Sequence, residues 1–297
     1  MRQLIAPTML AFAALACALS PNQTDTRATV EAVYATLTVE AGGGPPATEP
    51  TAPTDESDPE PTATEAPTEV PTLTPTPPDE RPGTVVDVAR CELEIIVDGR
   101  TEDWEDQAID SFTLDEPAFG EENWSGPEDA SGEAYLCWTS IALYLRLDIT
   151  DDVHVQTQEG LRMYLGDEVE VVFDGELRSD YYADDISDDD RHFGLSGGDF
   201  SELLPEAVRY QPTQDDDPTI DVAARRPIGT GGGYVLEAEL PWNVLGVSPE
   251  VETPYGFCVI ISDNDQVGEA VQESFATHCP DLSVFDPTTW HTLRLLP

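Results

Sequence analysis

Lysine is absent from this chain of 297 residues, and its 13 basic side chains are all arginine, against 60 aspartate and glutamate residues. The formal net charge is −47. A chain with so little positive charge cannot neutralise the phosphates of a nucleic acid, and an anionic membrane surface repels it. The composition therefore excludes a general nucleic-acid-binding protein, and it leaves neutral molecules and cations as the ligands to consider.

Long hydrophobic runs are also scarce, and the one at the start of the chain covers residues 4–19. A comfortable membrane span needs about 20 apolar residues, so this run has the proportions of an export signal. Its residues 14–17 (ALAC) resemble a bacterial lipobox, in which Cys17 becomes the lipidated first residue. The same residues satisfy the small-x-small rule of ordinary signal cleavage. Both alternatives predict an extracytoplasmic protein, either secreted or held at the cell envelope by a lipid on Cys17.

Apolar side chains are few in residues 18–84, which follow the predicted signal peptide of residues 1–17. Residues 1–84 contain 14 of the 26 prolines and 12 acidic residues. Such a segment cannot offset the entropy cost of ordering, so we predict a disordered Pro/Thr/Glu-rich linker that acts as a spacer. Residues 85–297 hold the other 48 acidic residues and 10 arginines. This length fits one domain with a substantial core.

Strand patterns dominate residues 85–297, and helical periodicity is weak. Apolar residues alternate with polar ones over 141–149, 168–173, 234–240 and 257–262. Shorter segments with strand-like composition are 92–97, 133–138, 192–195, 220–224, 271–276 and 292–296, and residues 242–245 after Pro241 could form one helical turn. About ten short strands separated by turn residues predict an all-β domain, a β-sandwich of antiparallel sheets of the immunoglobulin or jelly-roll kind.

Four cysteines lie in the predicted domain: Cys91, Cys137, Cys258 and Cys279. An even number in an exported protein favours disulfides, and four cysteines allow three pairings. Cys258 and Cys279 are equidistant from the turn region around Gly268, so they would face each other across a hairpin. We therefore favour the pairs Cys258–Cys279 and Cys91–Cys137.

Several segments, taken in order, resemble family 9 carbohydrate-binding modules. The matching segments are residues 96–99 (IVDG) with 103–104 (DW), 143–152 (LYLRLDITDD), 166–174 (GDEVEVVFD), 233–242 (GYVLEAELPW), 256–263 and 292–295. The resemblance implies a non-catalytic domain that holds a polysaccharide or glycan. It also implies that the linker presents this domain at the cell surface.

The resemblance further implies where a sugar would bind. Members of the family clamp a terminal sugar between two aromatic side chains and bind its hydroxyl groups with charged or amide groups. The first aromatic position falls on Tyr164, the carboxylate on Glu170 and the second aromatic position on Phe285. The family's arginine position falls on Gly194, so that contact is missing.

Calcium is the predicted cation, because relatives in the family bind it and this chain is rich in carboxylates. The candidate ligands are Asp151, Asp152 and Asp263. Residues 263–268 resemble the start of an EF-hand loop, but positions five and twelve, Val267 and Ser274, do not fit. We therefore expect a looser structural calcium site and no organic cofactor.

Among the other aromatic residues, the motif positions of Trp104 and Trp242 and the strand position of Trp138 predict core packing. The remaining candidates are left open between ligand contact and packing or surface roles: Trp124, Trp290, Tyr181 and Tyr182. The sequence shows no nucleophile elbow, no zinc-type histidine spacing and no distinctive pair of carboxylates, so we predict no enzyme.

Two alternatives to sugar binding remain. The first is a surface interaction or scaffold domain that kept the fold and lost the sugar site, which the missing arginine at Gly194 favours. The second is a haem-binding domain of the DOMON type, because related sandwiches bind haem through methionine with histidine or lysine. Met163 with His192 is the axial pair that this chain could offer.

Overall fold

Strands make up most of the secondary structure in the computed structural model of the chain, which describes residues 78–105, 107–226 and 233–297. The predicted signal peptide, Cys17 and all but the last residues of the linker 18–84 lie outside the described residues. No helix within the described ranges is long and apolar enough to cross a membrane.

Thirteen strands are present in the described part of the chain. They are β1 Val85–Arg90, β2 Ser111–Leu114, β3 Glu116–Phe119, β4 Ala130–Trp138, β5 Ala142–Asp151, β6 Glu168–Asp174, β7 Asp190–Ser196, β8 Glu206–Gln211, β9 Asp221–Arg225, β10 Tyr234–Pro241, β11 Pro254–Asp263, β12 Ser274–Thr277 and β13 His291–Leu295. Four short helices lie between the strands. Two are single turns of α-helix, α1 Glu102–Glu105 and α2 Trp242–Leu245, and two are 3-10 helices, Gly160–Leu165 and Pro287–Thr289.

The strands form two layers that β1 joins. In the first layer β9, β10, β5, β4 and β2 pair antiparallel in that order. In the second, β8, β7, β6, β11 and β13 pair antiparallel, and β12 and β3 extend it from β11. β1 runs parallel to β13 in one layer and to β4 in the other. The predicted all-β sandwich is therefore confirmed.

The core between the layers follows the alternation in the sequence. Leu143, Leu145 and Leu147 of β5 and Val171 and Phe173 of β6 are fully buried in one apolar cluster. Successive side chains of a strand point to opposite faces, so this pattern fixes which residues of β5 and β6 point away from the core. Ile141, which continues the pattern on paper, precedes the strand and is 63% exposed.

The prediction of a strand at 92–97 was wrong, because side chains satisfy the backbone of this segment. Gln107 Oε1 accepts from the N–H groups of Glu92 and Leu93, and Asp103 accepts from Ile96. Backbone donors that are paired in this way are not available to a neighbouring strand. Four strands, β1, β2, β3 and β8, were missed.

A buried carboxylate connects this segment to β10. Glu237 is fully buried and accepts hydrogen bonds from the N–H groups of Asp98 and Gly99 and from Nε1 of Trp104, at 2.9, 2.7 and 2.7 Å. Two motifs that lie about 135 residues apart in the sequence are therefore one packing unit. Gly99 has a positive φ of 75°, which places its N–H beside Glu237 in a turn that favours glycine.

Both predicted disulfides are present. Cys91 bonds to Cys137, and Cys258 bonds to Cys279 across the hairpin of β11 and β12. The first bridge attaches the irregular segment after β1 to β4. The second lies on the outer face of β11, where it belongs to a small apolar cluster of its own.

Replacing Glu237 with alanine should destabilise the domain by about 3 kcal/mol, because it leaves the Gly99 N–H and the Trp104 indole N–H buried without an acceptor. Glu239 is the matched control, since it lies two residues along the same face of β10 and is only half-buried. Glu239→Ala should cost less than about 1 kcal/mol. Urea unfolding of both variants measures the difference, and equal losses would contradict the role assigned to Glu237.

Candidate glycan face and carboxylate cluster

The outer face of the second layer carries the predicted sugar-binding carboxylate. Since Val169 and Val171 point into the core, Glu168 and Glu170 on β6 point outward. Both are nevertheless buried, at 0% and 4% exposure. Buried carboxylates need hydrogen-bond donors, and the neighbouring side chains supply them.

Glu170 lies between a histidine and an amide. His192 Nε2, on β7, is 2.5 Å from Glu170 Oε2, and Gln272 Nε2 is 2.9 Å from Glu170 Oε1. The Gln272 amide also donates to Ser262 Oγ of β11 at 2.9 Å. Two segments of the outer face, β7 and the loop before β12, therefore converge on one carboxylate.

Glu168 forms the second half of this network. The hydroxyl of Tyr210, on β8, donates to the Glu168 carboxylate at 2.9 Å, and the Tyr210 ring lies 5.0 Å from that of His192. Burial, together with the nearby charge of Glu170, raises the pKa of Glu168 well above its ordinary value. The network of Glu168, Glu170, His192, Tyr210 and Gln272 is called the outer-face network below.

The packing around Gly194 explains the missing arginine. A Cβ atom on Gly194 would lie 2.7 Å from both Glu168 Oε2 and Tyr210 Oη, and 2.8 Å from Met163 Cε. These atoms occupy the space that a side chain at this position would need. The outer-face network therefore leaves no room for a side chain at position 194.

Of the two predicted aromatic residues, Tyr164 contacts this network. Tyr164, half-buried on the 3-10 helix Gly160–Leu165, packs edge-on against Tyr210 at 6.1 Å between ring centroids. Phe285 lies in the loop before the helix Pro287–Thr289, and its neighbour Val284 packs on the cluster that covers Val172, Cys258 and Ile260. Ile260 of this cluster pairs with Glu170 across β6 and β11.

The remaining aromatic candidates have structural roles. Trp104, Trp138 and Trp242 are core residues, as predicted. Trp290 is also fully buried, where its Nε1 donates to the carbonyl of Ser283, so it packs the loop and is no ligand contact. Trp124 is half-buried against the main core, and its Nε1 donates to the Ala130 carbonyl.

A carboxylate cluster lies at one end of the sandwich and contains one of the three predicted metal ligands, Asp263. Asp129, Asp263 and Asp265 offer carboxylate oxygens that all lie within 4.8 Å of one another. Asp151 acts electrostatically on both Asp263 and Asp265, and its Oδ1 is buried without a hydrogen-bond partner. Asp152 is exposed and raises the pKa of Asp265. Sequence reasoning missed Asp129, which lies before β4 and becomes a neighbour only through folding.

The charges of this carboxylate cluster are poorly balanced. Burial, followed by the repulsion of Asp265, raises the pKa of Asp263 to about 7. Burial, followed by the charge of Asp152, raises that of Asp265 to about 6. Groups held in this way favour either protons or a bound cation.

A second acidic group is neutralised by the chain itself. Arg81, in the last residues of the predicted linker, is 2% exposed and places its Nη2 2.8 Å from Asp174 and 3.9 Å from Asp180. Burial outweighs this attraction and raises the pKa of Asp174 to about 7. The Tyr181 hydroxyl donates a hydrogen bond to the Glu80 carbonyl and so belongs to this contact, whereas Tyr182 is 67% exposed.

Comparison with known proteins identifies the family of this chain. The model of the carbohydrate family 9 binding domain-like family matches residues 97–296. This chain belongs to that family. The solved structure of a family 9 module from Caldicellulosiruptor kristjanssonii in complex with cellotriose is similar, with a TM-score of 0.54 and 17% identity over 72% of this chain and 94% of that one. The same organism's module in complex with glucose gives a TM-score of 0.50 and 17% identity over 71% and 95%. No curated protein matches.

The residues of the haem alternative both lie beside Tyr210. Met163 is fully buried against Tyr210, and His192 is 1% exposed with its Nε2 on Glu170. A porphyrin would therefore have to displace Glu170 from His192 and open a closed part of the structure. The described geometry favours a polar network over a haem site.

Replacing Asp263 with asparagine should stabilise the metal-free domain at pH 8 by about 2 kcal/mol. The folded state raises the pKa of Asp263 from 3.8 to about 7, so the charged form opposes folding. The protonated carboxyl contributes its full stability to the wild type below about pH 4, and this contribution is lost as the pH rises through 7. Asparagine has no charge to acquire, so the variant should be more stable than the wild type at pH 8 and about equally stable at pH 4.

Thermal unfolding in a chelator at both pH values measures this effect. Asp281→Asn, at an exposed position, is the control and should change stability little at either pH. A wild type that is more stable than Asp263→Asn at pH 8 without metal would show that the cluster is not strained by its charge.

Proposed function

We propose that this protein is a non-catalytic carbohydrate-binding protein, and that a glycan binds over the outer-face network between Tyr164 and Phe285. The observation that carries the proposal is the position of Glu170, held by His192 and Gln272 on the outer face, where Tyr164 packs on the neighbouring Tyr210. The solved family 9 modules in complex with cellotriose and with glucose support a β-linked glucan or its terminal sugar as the ligand.

The chemistry of this face suits a pyranose. A sugar ring presents an apolar C–H surface, which an aromatic side chain can cover, and its hydroxyl groups need charged or amide partners. Tyr164 and Phe285 are half-buried and so remain partly open to solvent. Gln272, also half-buried, gives its amide to Glu170 and Ser262, and a sugar hydroxyl can take over those contacts when the Gln272 side chain moves aside.

The proposed setting is extracytoplasmic. The export signal and lipobox around Cys17 support attachment to the envelope, and two disulfides are consistent with an oxidising compartment. The linker would then hold the domain away from the surface. In this arrangement Arg81 fixes the end of the linker to the domain through Asp174.

Tyr164→Ala and Glu170→Gln should each weaken the binding of cellotriose at least tenfold, a loss of about 1.4 kcal/mol. The first change removes the aromatic surface, and the second removes the charge that holds the hydroxyl donors. Isothermal titration with glucose and cellotriose, in calcium, measures both. Tyr182→Ala is the matched control, since this exposed tyrosine lies on the acidic loop and should not affect affinity.

Two outcomes would count against the sugar site. If the folded wild type binds neither these sugars nor any glycan on an array, the scaffold alternative replaces the proposal. If the wild type binds but Tyr164→Ala binds equally well, the ligand lies elsewhere on the domain.

We also propose a structural calcium ion at Asp129, Asp263 and Asp265. Carboxylate oxygens are the ligands that calcium prefers, and Asp265 Oδ1 is buried without a hydrogen-bond partner. The ion would join the segment before β4 to the end of β11. It would also remove the repulsion that raises the pKa values of Asp263 and Asp265.

Calcium at 100 times its dissociation constant should stabilise the wild type by about 2.7 kcal/mol. The same calcium should stabilise Asp263→Asn much less, so the order of stability of the two proteins should reverse between chelator and calcium. Thermal unfolding at pH 8 measures this reversal. An equal response of both proteins to calcium would remove Asp263 from the site.

A further inference from the structure

A buried histidine beside the carboxylate cluster has one ring nitrogen whose protonation the backbone decides. The side chain of His154 is 2% exposed and packs between the rings of Phe200 and Tyr234, each at 5.0 Å. Its Nε2 lies 2.8 Å from the carbonyl oxygen of Gly198. A carbonyl oxygen only accepts hydrogen bonds, so Nε2 carries a proton.

The other nitrogen faces two carboxylates. His154 Nδ1 lies 3.2 Å from Asp151 Oδ2 and 3.2 Å from Asp167 Oδ2. In a neutral ring with its proton on Nε2, Nδ1 carries a lone pair, and this lone pair would point at two negative oxygens. A proton or a metal ion must therefore lie among these three atoms: a proton on Nδ1 or on one of the two carboxyl groups, or a metal ion bound by all three.

The surroundings favour a divalent ion over a single proton. The side chains of Asp151 and Asp167 are about as buried as that of His154, and within the described ranges neither forms an ion pair with an arginine. Asp151 Oδ1 is buried and has no hydrogen-bond partner. One proton balances one carboxylate only, whereas a divalent ion balances both.

We propose that His154 Nδ1, Asp151 and Asp167 form a binding site for a divalent transition metal of the zinc type, which lies next to the proposed calcium site and shares no ligand with it. Zinc binds nitrogen and carboxylate oxygen at 2.0–2.2 Å, so tetrahedral ligand atoms lie about 3.3 Å apart. The two 3.2 Å distances around Nδ1 match this spacing. Calcium prefers an all-oxygen site, so the imidazole distinguishes the two ions.

The residues around the three ligands hold them in place, as the neighbours of metal ligands do. The carbonyl of Gly198 fixes the His154 ring in the tautomer that presents Nδ1. The backbone N–H groups of Val155 and Asn264 donate to the Asp167 carboxylate. The metal would thus connect the end of β5, the loop after it and the start of β6, and its role would be structural.

The experiment measures zinc and cobalt binding to the wild type and to His154→Phe. Phenylalanine keeps an aromatic ring between Phe200 and Tyr234 but cannot bind a metal. After dialysis against Zn²⁺ in excess Ca²⁺, the wild type should retain about one equivalent of zinc, measured by mass spectrometry. Cobalt in the same site should give visible ligand-field absorption. His154→Phe should bind either metal at least tenfold more weakly and lose the absorption.

Three control variants test the assignment independently of the other sites. His278→Phe changes another buried histidine, whose ring nitrogens have no hydrogen-bond partner, and should retain zinc. Asp263→Asn should weaken calcium binding and leave zinc in place. Tyr164→Ala should affect neither metal, so a failed sugar titration would not bear on this site.

Three results would overturn the proposal: no zinc retained by the folded wild type, equal retention by His154→Phe, or histidine NMR signals that show His154 protonated on both nitrogens and unchanged by zinc. The last result would assign the positive charge to a proton. Should His154→Phe fail to fold, His154→Gln gives the same test, because glutamine can still donate to the Gly198 carbonyl.

Discussion

A carboxylate that is buried in a protein needs hydrogen-bond donors or a positive charge, and this chain has no lysine to provide either. The described structure meets this need in several ways. Glu237 receives two backbone N–H groups and an indole, Glu170 receives a histidine and an amide, and Asp174 receives an arginine. Each solution joins segments that are far apart in the sequence, so the buried acids organise much of the fold.

The same constraint separates the two proposed binding regions. On the outer face, Glu168 and Glu170 are satisfied by protein donors, and these are donors that a sugar hydroxyl can replace. At the end of the sandwich, Asp129, Asp151, Asp167, Asp263 and Asp265 receive fewer donors than they could accept, and the pKa values of Asp167, Asp263 and Asp265 are raised. A region of this second kind favours cations. The proposed sugar site and the proposed metal sites thus differ in how fully protein donors satisfy their buried carboxylates.

Local patterns predicted strands well where one face of the strand meets the core, as in β5, β6, β10 and β11. They failed for residues 92–97, where the apolar residues look like a strand but the side chains of Gln107 and Asp103 bind the backbone. They also missed short strands such as β2 and β8, whose alternation is too brief to stand out. The Cys258–Cys279 pair was predictable because a hairpin relates the two residues by simple symmetry.

The sequence alone determined the strand-rich class, the acidic charge, the likeness to family 9 modules and the position of Glu170, because these depend on composition, alternation and ordered motifs. Only the tertiary structure decided what surrounds that carboxylate. It showed that Gly194 has no room for a side chain, that His192 and Gln272 hold Glu170, and that Asp129 joins Asp263. It also placed His154 between Asp151 and Asp167. The physical reason is that hydrogen bonds and charges act over a few ångströms in space, whereas these partners lie up to about 130 residues apart along the chain.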